Sequence, residues 1–220
     1  MMRRFARWHI WLGWIVAIPV LLWLASGLFM AARPIEEVRG EHLRRPAVPV
    51  DAAGLVAPRA TGSIARIALV DQAGRPVWTV TTADKSVQRF DARSGARLGP
   101  VDEAEARRIA SSTYAGKHAL LGISAFAADA APLELRRPRP SWQASFADGT
   151  NLYIDAQSGE VLALRTRWWR AYDLLWGLHI MDLEGRENAH NPWVWTLGST
   201  ALATSLLGAI LLFRRRRRAK

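Results

Sequence analysis

Two stretches, residues 10–32 and 193–213, carry no charged side chain, whereas the chain between them breaks into short runs in which apolar and polar positions alternate. At about 1.5 Å of rise per residue, each apolar stretch exceeds the roughly 30 Å hydrocarbon core of a bilayer, so each predicts a transmembrane helix. Pro19 bends such a helix without disqualifying it, because neighbouring groups re-satisfy the freed carbonyl. Arg3, Arg4 and Arg7 ahead of the first stretch also suit a secretory leader. That stretch is longer than the usual apolar region of about 7 to 15 residues, and Phe29, Met30, Ala31 and Ala32 lack a small-x-small cleavage pattern. An uncleaved anchor is the expectation.

The intervening segment contains a repeat. "PVWTVTTADKSVQRFDARSGARL", from Pro76, and "PSWQASFADGTNLYIDAQSGEVL", from Pro140, match without a gap at a constant offset of 64 residues. The pairs are Pro76 with Pro140, Trp78 with Trp142, Ala83-Asp84 with Ala147-Asp148, Asp91-Ala92 with Asp155-Ala156, Ser94-Gly95 with Ser158-Gly159, and Leu98 with Leu162. Each copy reads as a strand, a tight turn, a second strand, another turn and a short third strand. Asp148-Gly149 signals a type I′ hairpin turn. In "DARSG" and "DAQSG" the aspartates read as turn formers that accept local N–H groups, which leaves them no catalytic or metal role.

A helix is expected before each hairpin. Residues 102–113 have Asp102 as N-cap, Glu105 at the capping-box position, and an apolar face through Ala106, Ile109 and Ala110. The first copy's helix, residues 51–57, is shorter and stops before Pro58. The second copy carries extra residues, 116–140, between helix and hairpin. The expected fold class is therefore a membrane protein in which two transmembrane helices flank an α+β region of two tandem units.

Charge sharpens the topology. The net charge is +11, of which +9 sits on residues 1–32 and 193–220, with Arg214 to Arg218 and Lys220 at the C-terminal end. Positive charge marks the cytoplasmic side of membrane spans, so both termini are expected in the cytoplasm and residues 33–192 outside it, in the periplasm of a bacterium. Topology and anionic lipid account for the basic ends, and nucleic acid is not an expected partner. The chain has no cysteine, which excludes thiolate nucleophiles, iron–sulfur clusters and Cys-ligated zinc. No GxSxG elbow, HExxH motif or GxGxxG fingerprint is present, so hydrolase and nicotinamide chemistry have no support.

Of five histidines, three have a suggestive setting. His9 stands at the cytoplasmic end of the first span, where Gly13 and Ala17 follow at helical spacing and form a shallow strip. Such a strip suits a flat porphyrin, and equally suits a second helix packed close. His179 lies in "LLWGLHIMDL", within a segment, residues 168–183, whose Trp169, Tyr172, Trp176, His179 and Ile180 share helical spacing. That segment predicts an amphipathic helix in the outer membrane interface, with its tryptophans in the interfacial belt. There His179 is either an interfacial polar group or an axial ligand, with His190 nearby as a second donor. His42 and His118 read as surface or loop residues. About 34 Å separates His9 from the far end of its helix, so one chain cannot place His9 and His179 on one iron. A bis-His site needs a homodimer, another membrane protein, or the local pair His179 and His190. In the second span Gly198, Ala201, Ser205 and Gly208 form a stripe suited to close helix packing.

With "FDARSGARL" and "YIDAQSGEVL" closing the repeats, "WHIWLGW" in one span and "LLWGLHIMDL" before the other, the chain resembles the PepSY domain family and its membrane-associated branch. The resemblance covers nearly the whole chain. It implies a bacterial inner-membrane protein linked to iron and siderophore uptake, with haem b carried on His9, His179 or His190. Larger relatives that look like haem-carrying reductases have at least four spans where this chain has two, and soluble relatives are linked to peptidase inhibition. The expected organisation is a cytoplasmic N-terminus (1–9), a first span (10–32), a linker (33–48), PepSY-like units at 49–100 and 101–166, an interfacial helix and loop (167–192), a second span (193–213) and a cytoplasmic basic tail (214–220). Two functions follow: a haem-binding electron-transfer or accessory component in iron reduction, or a non-catalytic tethered module for a peptide, a peptidase or an envelope partner.

Overall fold

The computed structural model describes residues 2–218. Two long apolar helices flank an α+β region that holds two antiparallel sheets. The chain divides into two compact units, one formed by residues 1–34 and 171–220, the other by residues 35–170.

In the first unit, helix α1 (Met2–Ala31) takes in the residues expected to form a separate N-terminus. The C-terminal helix (Pro192–Arg218) likewise runs on into the basic tail, of which Ala219 and Lys220 lie outside the described residues. The most apolar 18-residue windows within residues 4–31 and 192–213 have mean hydropathies of 2.1 and 1.7. The two helices pack together, with His9 on α1 meeting Thr204 and Gly208 of the other and Trp23 meeting Gly198; Val16, one heptad from each of His9 and Trp23, is buried. The seam takes Thr204, which is buried, in place of the expected Ser205, which is exposed. Ala201 to Thr204 to Gly208 keeps one helical face, and Ser205 falls beside it, its hydroxyl turned back onto the Ala201 carbonyl.

The second unit begins with α2 (Ile35–Val38) and a 3-10 turn (Glu41–Leu43). The expected linker is therefore partly ordered: Val38 is buried, and residues 43–45 bond to the backbone of Thr113 and Ala115. Strands β1 (Ile64–Gln72), β2 (Arg75–Thr82), β3 (Val87–Asp91) and β4 (Arg97–Leu98) form the first sheet in that order. Helix α3 (Glu103–Thr113) follows, and then β5 (Leu120–Phe126), β6 (Ser141–Phe146), β7 (Asn151–Asp155) and β8 (Val161–Arg165) form the second. Helix α4 (Arg167–His179) begins in the last residues of this unit and continues into the first, and the C-terminal helix is α5.

The repeat is real to the level of single hydrogen bonds. Ala92 N–H donates to the Pro76 carbonyl and Ala156 N–H to that of Pro140; the Trp78 and Trp142 indoles donate to the carbonyls of Val56 and Val101, each at 2.8 Å. Asp91 and Asp155 each gather the N–H groups of the next two turn residues, while Gly95 and Gly159 take φ of +73° and +74°. The aspartates thus serve the turns.

Each sheet has one strand more than the repeat suggests. β1 and β5 pair with β2 and β6 in the same register, with an irregularity at the same place, between Ile64 and Arg66 and between Leu120 and Gly122. Their offset is 56 rather than 64, because β1 meets β2 through two residues whereas residues 127–140 join β5 to β6. The two-residue turn, Ala73-Gly74, has both φ angles positive and is the type I′ arrangement. Asp148-Gly149 is not: Gly149 alone is at positive φ, and Phe146 and Thr150 close a three-residue loop that ends in a left-handed glycine. Lys85 occupies the same left-handed position in the first repeat, at φ 69°.

The helix expected at residues 51–57 is absent; Gly54 at φ +71° breaks the run. The hydrogen bonds that equate Val56 with Val101 place the missing helix after Val56, where Pro58 follows at once and β1 starts eight residues on. An extended strap, residues 56–62, covers the face instead. A helix satisfies its own backbone and a strap does not, so Gln88 stands where the second repeat has Leu152. Its amide donates to the Thr61 carbonyl at 2.8 Å and accepts from Thr61 N–H at 3.2 Å.

Candidate functional site

His9, His179 and His190 belong to the helical unit. The Nδ1–H of His9 donates to the Thr204 carbonyl of α5 at 3.0 Å, since a carbonyl can only accept. Its ring lies against Gly208, where a Cβ would come within 2.8 Å of Cε1, so only glycine lets α5 approach. Gly13 has no neighbour within 4 Å of where its Cβ would be, so the strip beside His9 stays open there.

His179 ends α4 and reaches the Ser26 hydroxyl of α1, Nδ1 to Oγ 2.9 Å. The same hydroxyl lies 2.7 Å from the Leu22 carbonyl and 3.1 Å from that of Trp23; when its one proton goes to either of them, its oxygen accepts from a protonated Nδ1 of His179. The Trp23 indole donates to the His179 carbonyl, and Gly27 lies beside the ring. In the neutral tautomer that suits these contacts each imidazole carries its proton on Nδ1 and has its lone pair on Nε2, which has no hydrogen-bond partner among the described residues. Ser26 is 17 residues beyond His9 on one helix, roughly 25 Å of rise, so the two rings are well apart.

His190 is exposed, in a turn where its N–H donates to Asn188 Oδ1. The helix expected over residues 168–183 ends at His179 because Met181 turns left-handed at φ 55° and Asp182 N–H closes onto the Gly177 carbonyl. Asp182 then gathers the N–H groups of Gly185, Glu187 and Asn188, and Asn191 caps α5 through the N–H groups of Trp193 and Val194. His42 and His118 are exposed. Among the described residues no group of three or more His, Cys, Asp or Glu is arranged to hold a metal ion.

A second site lies in the α+β unit, a cleft of about 770 Å³. It is bounded by the outer face of the first sheet, by Ile109, Ser112 and Thr113 of α3, by residues 44–50, and by Arg139 and residues 158–161. In the second sheet the matching face is filled: residues 127–140 lay Leu135 on Tyr153 and Ala163. There Glu134 accepts from Asn151, Tyr153 and Arg170. Burial pushes its carboxyl up, but the bonds from Arg170, Tyr153 and Asn151 outweigh burial and leave it below the ordinary range. The first sheet has no such insertion, and its face stays open.

A buried latch holds the cleft's floor. Arg89, 2% exposed, bonds to both carboxylate oxygens of Glu105 on α3, to the Gly99 carbonyl at 3.0 Å and to Gln72 Oε1 at 2.7 Å. Gln72 in turn donates to the Ser158 carbonyl at 2.7 Å, which ties the two repeats together. Glu105 therefore does only half of what its place in a capping box predicts. Its N–H bonds to Asp102 at 2.7 Å, while its carboxylate leaves the helix end for Arg89. Sequence reasoning passed over both the cleft and Arg89. The available signal was the pairing of Arg89 with Tyr153, and of Gln88 with Leu152, in an otherwise matching repeat: charge or amide where the partner is apolar or aromatic.

Comparison with protein-family models, with curated proteins and with solved structures finds no match to the chain.

Proposed function

We propose that the chain is a bacterial inner-membrane protein of the PepSY kind, with both termini cytoplasmic and residues 33–192 periplasmic, that binds haem b and serves electron transfer in ferric chelate reduction. The observation that carries this reading is the common setting of His9 and His179. Each is fixed through Nδ1 by an oxygen of a neighbouring helix, and its Nε2 has no hydrogen-bond partner among the described residues. Imidazoles that ligate metals are held this way, the second nitrogen donating to an oxygen that sets tautomer and ring orientation. Haem bound there would supply one-electron transfer. Gly208 and Gly27 give the rings their seats, and Thr204 and Ser26 would orient them through Nδ1. Each ring would offer one nitrogen to the group, so any further protein ligand would come from another copy or another membrane protein, and the electron donor would be a further protein or a quinone.

The test is the absorption spectrum of the detergent-purified chain, expressed with ample haem, before and after dithionite. A Soret band with sharp reduced α and β bands, lost in His9→Ala or His179→Ala, is expected. A colourless protein that also refuses added haem overturns the reading. A second reading, a non-catalytic tethered binding module, is favoured by the cleft, which needs nothing from the histidines.

A further inference from the structure

β1 is the outermost strand of its sheet and, among the described residues, pairs with β2 alone. Alternate side chains of a strand point to opposite faces, so a cavity on one face touches every second residue. The cleft touches all six residues from Ala68 to Ala73, and therefore reaches the strand's free edge as well as its face. Along this nine-residue strand Ile64, Ile67 and Val70 are 48%, 48% and 37% exposed. A long, partly apolar edge with unpaired backbone is a template for another strand.

The neighbouring wall cannot fill that role. Residues 45–52 have no regular structure, Pro46 and Pro49 have no N–H to give, and no backbone bond joins this segment to β1 among the described residues. Charge then selects the occupant. Four arginines line the cleft against Asp71 and Glu160. Arg45 is held by the carbonyls of Ser111 and Ser112, and Arg139 by Asp155. Asp71 is engaged in its own turn through Gly74 N–H. Arg66 has no side-chain partner among the described residues, and Arg44 reaches only the Val161 carbonyl, at 3.5 Å.

We propose that the cleft is a docking site for an extended peptide segment of another protein, which adds as a strand to the free edge of β1 and presents carboxylates to Arg66 and Arg44. This deepens the binding-module reading and is independent of haem. Backbone bonds to β1 would give affinity, and the guanidinium groups would give preference for acidic sequences.

The experiment is selection from a library of random displayed peptides on the full chain in detergent, followed by affinity measurement on synthetic copies of the winners. Expected winners alternate β-branched residues with Asp or Glu. Their binding weakens about ten-fold or more in Arg66→Glu, whose exposed site leaves folding intact by circular dichroism. They also weaken when alternate backbone amides are N-methylated, and they slow hydrogen exchange in β1. No enrichment, winners without acidic residues, affinity that survives Arg66→Glu, or affinity that survives N-methylation overturns the proposal. A colourless protein in the haem test leaves this outcome untouched.

Discussion

The two repeats of the α+β unit share turns, registers and the indole bond that pins each sheet to the preceding segment, yet they are covered differently. The second has an 11-residue helix on one face and a 14-residue connection on the other. The first has an extended strap on one face and an open cleft on the other. Where a helix covers a sheet, the facing positions are apolar: Ala144, Phe146, Leu152 and Ile154 pack against Ala106, Ile109 and Ala110. Where a strap covers it, the same positions read Val80, Thr82, Gln88 and Phe90: Gln88 bonds to the strap's backbone at Thr61, and the Thr82 hydroxyl bonds within its own hairpin tip to Asp84 and Ser86. The cover therefore dictates the chemistry of the sheet beneath it, and losing an element opens a site.

The latch offers the largest test of this comparison. Glu105→Ala leaves the Arg89 guanidinium buried without its carboxylate, so the α+β unit should lose about 3–5 kcal/mol, measured by denaturant unfolding. The double variant Arg89→Met with Glu105→Leu should recover most of it. Equal stability of Glu105→Ala and the parent would show that the pair does not hold the repeats together.

Exchanging the facing residues comes next. Gln88→Leu gives the first repeat the second's residue and strands both Thr61 backbone groups, at an expected cost of about 1–3 kcal/mol. Leu152→Gln should cost a similar amount, because the helix above it has no free backbone group to offer. Faster hydrogen exchange in β2 and β3 for the first variant, and in β6 and β7 for the second, would localise each effect.

A smaller difference lies in the hairpin tips. In the second repeat Asp148 accepts from Tyr114, which stacks on Phe146 with ring centroids 3.9 Å apart. Burial and then the Asp148 carboxylate push the Tyr114 hydroxyl from 10.0 up to about 12. A raised acid contributes stability that is complete below its unfolded value and lost as pH rises through the folded one. The unit should therefore weaken between about pH 10 and 12, and Tyr114→Phe should flatten that part of a melting-temperature profile. Asp148 runs the other way. Burial raises its carboxyl, but bonds from Tyr114 and Thr150 more than offset this and hold it below 3.8, so its contribution is present at neutral pH and lost as acid protonates it. The smallest effect is expected from Lys85→Gly, which removes a left-handed lysine where the second repeat has glycine and should stabilise by about 1 kcal/mol or less.

Much of this was legible in the sequence because its causes are local. Uncharged runs longer than a bilayer core, a repeat without gaps, Asp and Gly at turn positions and an Asp102 N-cap each act within a few residues, so pattern alone identifies them. The helix expected at residues 51–57 failed for the same reason: its pattern was weak, and Gly54 and Pro58 worked against it. β1 and β5 escaped the repeat because an unequal connection moved them out of the common offset, although Ala73-Gly74 between alternating runs was a readable hairpin signal.

By itself the sequence determined the two apolar helices, the two units of antiparallel strands, the turn chemistry and the absence of thiol chemistry. Only the tertiary structure decided where Glu105 points, that Gln88 serves a strap, that Thr204 and Ser26 meet Nδ1 of His9 and His179, and that one sheet face stays open. Each of these depends on groups far apart in sequence, 16 residues for Arg89 and Glu105 and 195 for His9 and Thr204. A polar side chain's partner is chosen by which surfaces meet on folding, and one-dimensional spacing does not contain that information.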